Sequence, residues 1–220
     1  MSTTLSSLRS KTRYWLDETA SSGVSWLNAE LNQYINDAEQ WLWSELCKTD
    51  DSFGLREATT TLVQGQDDYH YPSDILGRNI RALYAYNSST DPWKKIDKRA
   101  YEEVIEEGTT QSAYPYKYCC MDGYFKIGPT PDNSGYSLRI AYTRKPTAMS
   151  GDAATMDSDD EYASLISAQA ALFALARTGG DKSAIEREFK KLLDAAFGNT
   201  GPDDLLTCEN LYRYKADFCG

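Results

Sequence analysis

The chain lacks the residue sets that most catalytic and metal sites need. Its 220 residues include one histidine, His70, so a multi-histidine metal site is excluded and a Ser-His-Asp triad has no recognisable setting. Neither a phosphate-binding glycine loop nor a dinucleotide fingerprint occurs. We therefore predict no catalytic residue, no metal and no cofactor, and we interpret His70 as a turn residue before Pro72.

Paired cysteines and long apolar runs are also missing. The 5 cysteines are odd in number and have no C-x-x-C spacing, so we expect reduced thiols. The adjacent Cys119 and Cys120 are expected to point to opposite faces of a strand. No stretch approaches about 18 apolar residues and residues 1–18 contain no signal-peptide core, so we expect synthesis in the cytoplasm and no membrane partner.

Positive charge is in short supply. Lys and Arg number 23 against 33 Asp and Glu, which gives a net charge of -10 and disfavours general binding to a phosphate backbone. Two local basic patches stand out, one at Arg144 and Lys145 and the other at Lys94, Lys95, Lys98 and Arg99. Each lies beside carboxylates, so DNA gripping is not the favoured interpretation.

Helical periodicity marks both ends of the chain. Apolar residues recur every three or four positions over 5–18 and, most strongly, over 26–48. The alanine-rich stretch 162–178 and the stretch 181–196 show the same spacing, and glycines follow both. These patterns predict four helices, the first two of which form an antiparallel hairpin, and Lys98 to Glu107 predicts a further short helix.

The middle region has the composition of strands. Alternating and β-branched segments between residues 51 and 147 are separated by turn signals, among them the Asp122 and Gly123 pair. The stretch 124–146 predicts a hairpin of two strands around the turn at "PDNSG". The economical fold is α+β: an antiparallel bundle of the terminal helices with a small antiparallel β region inserted.

We thus predict one α+β domain over residues 1–198 with helices at 5–48 and 159–197 and a β insertion at 51–147. An extended C-terminal arm, 199–220, follows. The arm has many apolar side chains without regular periodicity, so it is expected to lie on its own body or on a partner.

Carboxylate pairs offer the remaining route to catalysis, because two acids suffice for glycoside hydrolysis. Candidate pairs are Asp67 with Asp68, Glu102 with Glu103, and Glu106 with Glu107. The acidic cluster 157–161 precedes a helix, so helix capping is favoured over calcium binding. No pair is singled out by its position, and a peptidoglycan-degrading or glycan-binding tail protein is the alternative function.

The order of segments resembles a known family. The helices "LSSLRSKTRYWLDE" and "LNAELNQYINDAEQWLWSEL", the β segments "YHYPSDILGRNIRALYAY" and "LRIAYTRKP", and the helix "YASLISAQAALFALAR" are similar to the head-tail connector adaptors of tailed bacteriophages. The resemblance spans about residues 5–197. It implies a non-enzymatic virion structural protein of the neck, located between head and tail.

The resemblance also implies partners. Such adaptors form a homo-oligomeric ring, commonly a dodecamer, beneath the portal protein, which they join to the next tail or neck protein. DNA passes through the ring during ejection without sequence-specific binding. The hairpin of residues 124–146 is then expected to belong to an assembly surface. The candidate interface residues are Trp93, Tyr114, Tyr116, Tyr136, Ile140, Tyr142, Leu205, Leu206, Leu211, Tyr212, Tyr214 and Phe218.

Overall fold

A computed structural model describes residues 2–18, 26–86, 93–108 and 113–198. The helices within these ranges are α1 (Leu5–Trp15), α2 (Asn28–Thr49), α3 (Tyr101–Gly108), α4 (Ala163–Thr178) and α5 (Ser183–Phe197). The strands are β1 (Leu55–Thr61), β2 (Asp68–His70), β3 (Ile75–Tyr86), β4 (Lys94–Lys98), β5 (Lys117–Cys120), β6 (Tyr124–Gly128) and β7 (Ser137–Arg144). A short 3-10 turn, Asp160–Tyr162, precedes α4.

The chain divides into two compact units. The first contains residues 1–42 and 147–220, and the second contains residues 43–146. One boundary therefore falls within α2 and the other directly after Pro146. The helical and sheet-forming segments each have a core of their own.

The first unit is built on α4. The side chain of Thr4 caps α1 by accepting a hydrogen bond from the Ser7 N–H at 3.3 Å. Helix α1 packs against α4, and α4 packs against α5. Helix α4 is buried on most of its circumference because its alanines let neighbouring helices approach closely, and it ends at Gly179, whose φ is +70°. The rings of Trp41 on α2 and Phe189 on α5 lie 5.7 Å apart.

The second unit is organised by a seven-stranded sheet with the order β1-β7-β3-β4-β5-β6-β2. Strand β7 pairs antiparallel with β1 and with β3, and Leu83 of β3 lies opposite Ile140 of β7. Strands β4 and β5 run parallel, which makes the sheet mixed. Antiparallel β5 and β6 are joined at Asp122 and Gly123, as the sequence predicted.

The core of the second unit lies on one face of the sheet. Alternate residues of β3 and β7 point into it, so that residues opposite each other in the register share the same side. Its residues that are 3% exposed or less are Leu62, Leu83, Ala85, Ile96, Tyr118, Phe125, Ile127, Leu138, Ile140 and Tyr142.

The fold prediction was wrong in its description, although the α+β label fits loosely. The β region is a seven-stranded mixed sheet with its own core, and it is not a small antiparallel insertion in a helical bundle. Helix α1 takes its principal contacts from α4, more than 140 positions away in the chain, so the predicted N-terminal helical hairpin does not organise the unit. Periodicity shows which face of a helix is buried but not which element covers it.

The predicted hairpin of residues 124–146 was also wrong. Strand β6 pairs with β2 and β5, whereas β7 pairs with β1 and β3. The two strands are sequence neighbours that belong to different parts of the sheet. Residues 129–136 connect them across the sheet, in which β3, β4 and β5 lie between β7 and β6.

Candidate assembly surface

Strand β1 forms one edge of the sheet. It pairs with β7 along its whole length, and no described strand pairs with its other side. Six of its seven residues are exposed, and Leu55 keeps 50% of its surface accessible. An edge of this kind presents unpaired backbone N–H and C=O groups to another chain.

Charged side chains flank this edge. Arg56 donates to a carboxylate oxygen of Asp74 at 2.7 Å, and Arg139 on β7 lies 3.8 Å from Glu57. Charges on an edge strand discourage indiscriminate pairing while leaving the backbone available to a complementary partner. These charges therefore disfavour indiscriminate pairing at the edge.

An aromatic stack covers part of the outer sheet face. The rings of Tyr86 and Trp93 are nearly parallel with centroids 5.0 Å apart, and the Arg139 guanidinium lies 4.3 Å from the Trp93 centroid. Trp93 is half-buried in this arrangement. Stacked aromatic and arginine side chains are enriched where protein surfaces meet.

Tyr114 and Tyr136 meet edge to face with ring centroids 5.3 Å apart. The Tyr136 hydroxyl donates to Asp132 Oδ1 at 2.7 Å, and this bond together with burial raises the pKa of Tyr136 to about 12. Tyr136 is buried and Tyr114 half-buried, with the Lys94 ammonium 5.4 Å from the Tyr114 ring centroid. This pair closes one end of the sheet core.

Ile140 and Tyr142 point into the sheet core of the same chain. They are 3% and 2% exposed. Burial, followed by the hydrogen bond to Asp74, raises the pKa of Tyr142 to about 12. Within one chain, neither side chain offers a free surface to a partner.

Tyr116 is the most accessible of the candidate interface residues in the described ranges, at 51%. It directly precedes β5, and its carbonyl oxygen accepts from the Asp97 N–H at 2.9 Å. The first unit exposes large apolar side chains as well, namely Tyr14 and Leu27. The predicted arm residues, Leu205, Leu206, Leu211, Tyr212, Tyr214 and Phe218, lie outside the described residues.

The candidate catalytic acids whose side chains are described lie at or near the surface. Glu102 and Glu103 lie exposed on α3, and Asp68 and His70 lie exposed on β2. Within the described ranges, no group of three or more His, Cys, Asp or Glu side chains could hold a metal ion. The side chains of Glu106 and Glu107 lie outside the described part.

The sequence analysis predicted that the acidic cluster 157–161 caps α4, and this prediction was wrong. Asp157 accepts the Thr147 N–H at 2.7 Å, and Asp160 accepts the Thr3 N–H. The residue before α4 is Tyr162, which makes no side-chain capping bond. These carboxylates tie the connection before α4 to segments distant in sequence.

Two of the cysteine thiols have a raised pKa. Desolvation raises the pKa of Cys47 and of Cys119, and both side chains are buried. Cys120 is partly buried, so the adjacent pair differs in accessibility. These three are free thiols in the described ranges.

Sequence reasoning missed Glu39, a carboxylate 1% exposed in the first unit. It accepts the backbone N–H groups of Asp157 at 2.7 Å and Ser158 at 3.4 Å. Desolvation raises the pKa of Glu39, although the two backbone hydrogen bonds oppose this. Its position between Ala38 and Trp41 on the apolar face of α2 was the available signal.

None of the helices in the part of the chain described here combines the length and apolar character needed to cross a bilayer.

The second unit is thus an α+β fold with an exposed sheet edge and accessible aromatic side chains. The family model of the SU10 adaptor protein matches residues 3–206. The chain belongs to the SU10 adaptor protein family, and the resemblance to phage adaptors is confirmed. No curated protein matches the chain.

Proposed function

We propose that the chain is the head-tail adaptor of a tailed phage, forming a ring beneath the portal protein. The observation that carries this proposal is the family match over residues 3–206 of 220. The exposed β1 edge supports it, because a subunit in a ring needs a surface that a neighbour can pair with. The function is structural, and we expect no catalytic activity.

The ring holds about twelve copies, joins the portal to the next tail or neck protein, and provides the passage for DNA. Twelve chains with a net charge of -10 carry about -120 in total. A channel wall sharing the sign of the phosphates keeps DNA mobile, since contacts to phosphate groups are what hold DNA on a protein. The protein then resides in the neck of the virion.

The surface of this assembly uses the accessible candidate residues. Tyr116 is exposed and Trp93 and Tyr114 are half-buried, so these three can contact a neighbour without disturbing the core. Tyr136, Ile140 and Tyr142 act indirectly by holding the sheet that carries the surface. We retain the single domain of residues 1–198 and the arm 199–220 as part of this proposal.

Sedimentation velocity of the purified protein, alone and mixed with the portal ring from the same source, tests the proposal. We expect the chain to co-sediment with the portal at a saturating, ring-like ratio. A Tyr116→Ser variant should require a higher concentration to saturate, while Tyr14→Ser serves as a control in the other unit. Absence of co-sedimentation at moderate salt would contradict the proposed function.

A further inference from the structure

The sheet contains a fork between β3 and β4. The two strands pair from Ala85 with Lys94 to Leu83 with Ile96, and their register ends there. Strand β4 continues by pairing Asp97 and Lys98 with β5 in parallel. On the other side of the fork, the β3 register with β7 shifts at Arg81, between Ile80 and Ala82. Beyond Leu83 and Ile96 the two strands no longer form a ladder.

The fork takes Lys98 of β4 out of the ladder with β3. The N–H groups of Asp97 and Arg99 donate to the carbonyl oxygens of Tyr116 and Tyr118 at 2.9 and 2.8 Å. Because successive residues of a strand direct their backbone groups to opposite sides, the N–H and C=O of Lys98 face β3. No described residue of β3 is in register with Lys98. An extended segment entering the fork would find a backbone edge to pair with.

A groove of about 430 Å³ occupies the fork, a volume within the usual range of binding pockets. Its floor is apolar, formed by Ile80, Ala82, Ile96 and Tyr118. Its rim is charged, formed by Arg81, Lys95, Asp97, Lys98 and Arg99. Four cationic side chains and one carboxylate thus surround a cleft in a chain whose net charge is -10.

The cations differ in how firmly they are held. Arg81 donates to Thr143 Oγ1 at 3.0 Å and to Asp51 at 2.8 Å, which fixes its guanidinium at the groove. Arg99 lies 3.6 Å from Asp97, and both side chains are more than half exposed. Lys95 and Lys98 are exposed. The groove therefore combines one positioned guanidinium with two accessible ammonium groups, a field that attracts carboxylates.

The cationic rim and the end of the β3–β4 ladder together indicate that the ligand of the groove is a peptide. Phosphates of DNA would use the cations, but they have no groups that extend a β-ladder. An extended acidic peptide uses both, since its main chain pairs with the open edge and its carboxylates meet the rim. Apolar side chains of the same peptide can contact the half-buried Ala82 and the small accessible part of Ile80.

We infer that the fork receives the segment Asp203–Leu206 of a neighbouring copy, an inference that rests on the proposed multi-copy ring. This segment places two carboxylates directly before two leucines, which matches the cationic rim and apolar floor. The family match extends to Leu206, so the segment is part of the common domain. The chain after Gly198 continues to Gly220, a length that spans at most about 75 Å, enough to reach another subunit.

The direct test uses a labelled synthetic peptide of residues 200–207, TGPDDLLT, titrated into the full-length protein and followed by fluorescence anisotropy. We expect saturable binding that weakens as salt is added. Lys95→Glu with Lys98→Glu should weaken binding by about tenfold or more. Lys145→Glu reverses one charge, half the change of the double variant, at an exposed position of the same unit and should leave binding unchanged.

Three comparisons probe the binding mode. A peptide carrying Asp203→Asn and Asp204→Asn should bind more weakly, and a peptide N-methylated at Leu205 should also lose affinity because it cannot donate to the ladder. Equal binding of the N-methylated peptide would overturn strand pairing. We also expect unlabelled peptide to displace the labelled peptide at a lower concentration than duplex DNA does. The reverse order would overturn the choice of an acidic peptide as the partner. Thermal unfolding of each protein variant checks that the variant is folded. If the double variant is not folded, Lys98→Gln provides a milder change at the same rim.

Sedimentation of the full-length chain decides between neighbouring and same-chain binding. We expect Asp203→Asn with Asp204→Asn to raise the concentration at which chains associate; unchanged association would overturn binding between copies. The peptide titration needs no portal. If the peptide binds but the chain does not co-sediment with the portal, only the proposed function is rejected. If the chain binds the portal but the peptide does not bind, only the inference about the fork is rejected.

Discussion

The hydroxyl of Tyr142 donates a 2.7 Å hydrogen bond to Oδ1 of Asp74, whose other oxygen accepts from Arg56 at 2.7 Å. Burial by itself would raise the pKa of Asp74, but the bonds from Tyr142 and Arg56 outweigh it and the pKa is lowered. A lowered folded-state pKa gives stability above about pH 3.9, which is lost as the pH falls through the folded value. Tyr142, which the sequence analysis assigned to the assembly interface, thus links β7 to the residue that precedes β3.

We expect Tyr142→Phe to lower the free energy of unfolding by about 1 to 2 kcal/mol, because a hydrogen bond to a charged group is lost. Urea unfolding at neutral pH measures this change. Tyr14→Phe removes the same hydroxyl from a side chain that is 80% exposed and should stay within about 0.5 kcal/mol of the parent. Equal losses in both variants would contradict the role of the Tyr142 bond.

The protein should become less stable at alkaline pH. The pKa is raised to about 12 in Tyr118 by burial, in Tyr136 chiefly by its bond to Asp132, and in Tyr142 chiefly by burial. Unfolded tyrosine titrates near pH 10, so this contribution to stability is complete below about pH 10 and is lost as the pH rises towards 12.

Urea unfolding across this alkaline range, with ultraviolet detection of tyrosinate, measures the effect. Tyr142→Phe should flatten the decline, because one of the three groups no longer titrates. A free energy of unfolding that stays constant through this alkaline range would contradict the raised pKa of these three tyrosines.

Glu39→Gln should change the pH dependence of the first unit. Because desolvation raises the pKa of folded Glu39, its contribution favours folding at low pH and is lost as the pH rises from about 4.3 through the raised value. The amide keeps an acceptor for the Asp157 N–H but does not titrate.

Unfolding measured from acidic to neutral pH should therefore show a relative gain for Glu39→Gln as the pH rises. Glu102→Gln, an exposed side chain on α3, is the control and should run parallel to the parent. Parallel curves for both variants would argue against a buried, titrating Glu39.

Ile140→Ala and Tyr116→Ser should separate folding from assembly. Ile140 is 3% exposed opposite Leu83, so truncation leaves a cavity and costs about 2 to 5 kcal/mol. Tyr116→Ser should cost less than about 0.5 kcal/mol but weaken association. Unfolding and sedimentation of the same preparations check this, and a stability loss shared equally by both variants would refute the distinction.

Gly54→Ala should be more damaging than Gly65→Ala. Both glycines have positive φ, +66° and +79°, so alanine strains the backbone at each. A Cβ at Gly54 would also lie 2.8 Å from Trp43 Nε1, which donates to the Arg144 carbonyl at 2.7 Å. Nothing lies within 4 Å of a Cβ at Gly65.

Strain alone is expected to cost about 1 kcal/mol or more at either glycine, and displacement of Trp43 adds to it at Gly54. Urea unfolding of the two variants measures the difference. Equal destabilisation would show that Trp43 moves aside without cost.

The local structure of the chain was largely predictable, whereas its partners in space were not. Apolar spacing placed α2, α4 and α5 within a few residues, and Asp122 with Gly123 marked a real turn. The pairing of β6 and β7 was mispredicted because neighbouring strands were assumed to pair. Nothing in the local sequence shows that β7 lies between β1 and β3.

In the candidate surface too, the residue types could be read from the sequence but their burial and neighbours could not. Exposed Tyr116 and buried Tyr142 are both tyrosines of the β region, and composition cannot separate them. The patch Lys95, Lys98 and Arg99 was visible in the sequence, but Arg81 joins it only because β3 and β4 diverge at the fork.

The sequence by itself determined the helical segments, the acidity, the exclusion of a multi-histidine site and the resemblance to phage adaptors, since periodicity, charge and residue inventory are local or additive properties. Only the tertiary structure decided the strand order, the burial of Glu39, Ile140 and Tyr142, and the opening of a cationic groove in an acidic chain. Those features depend on which distant segments meet, and that is set by the collective burial of apolar surface and pairing of backbone groups.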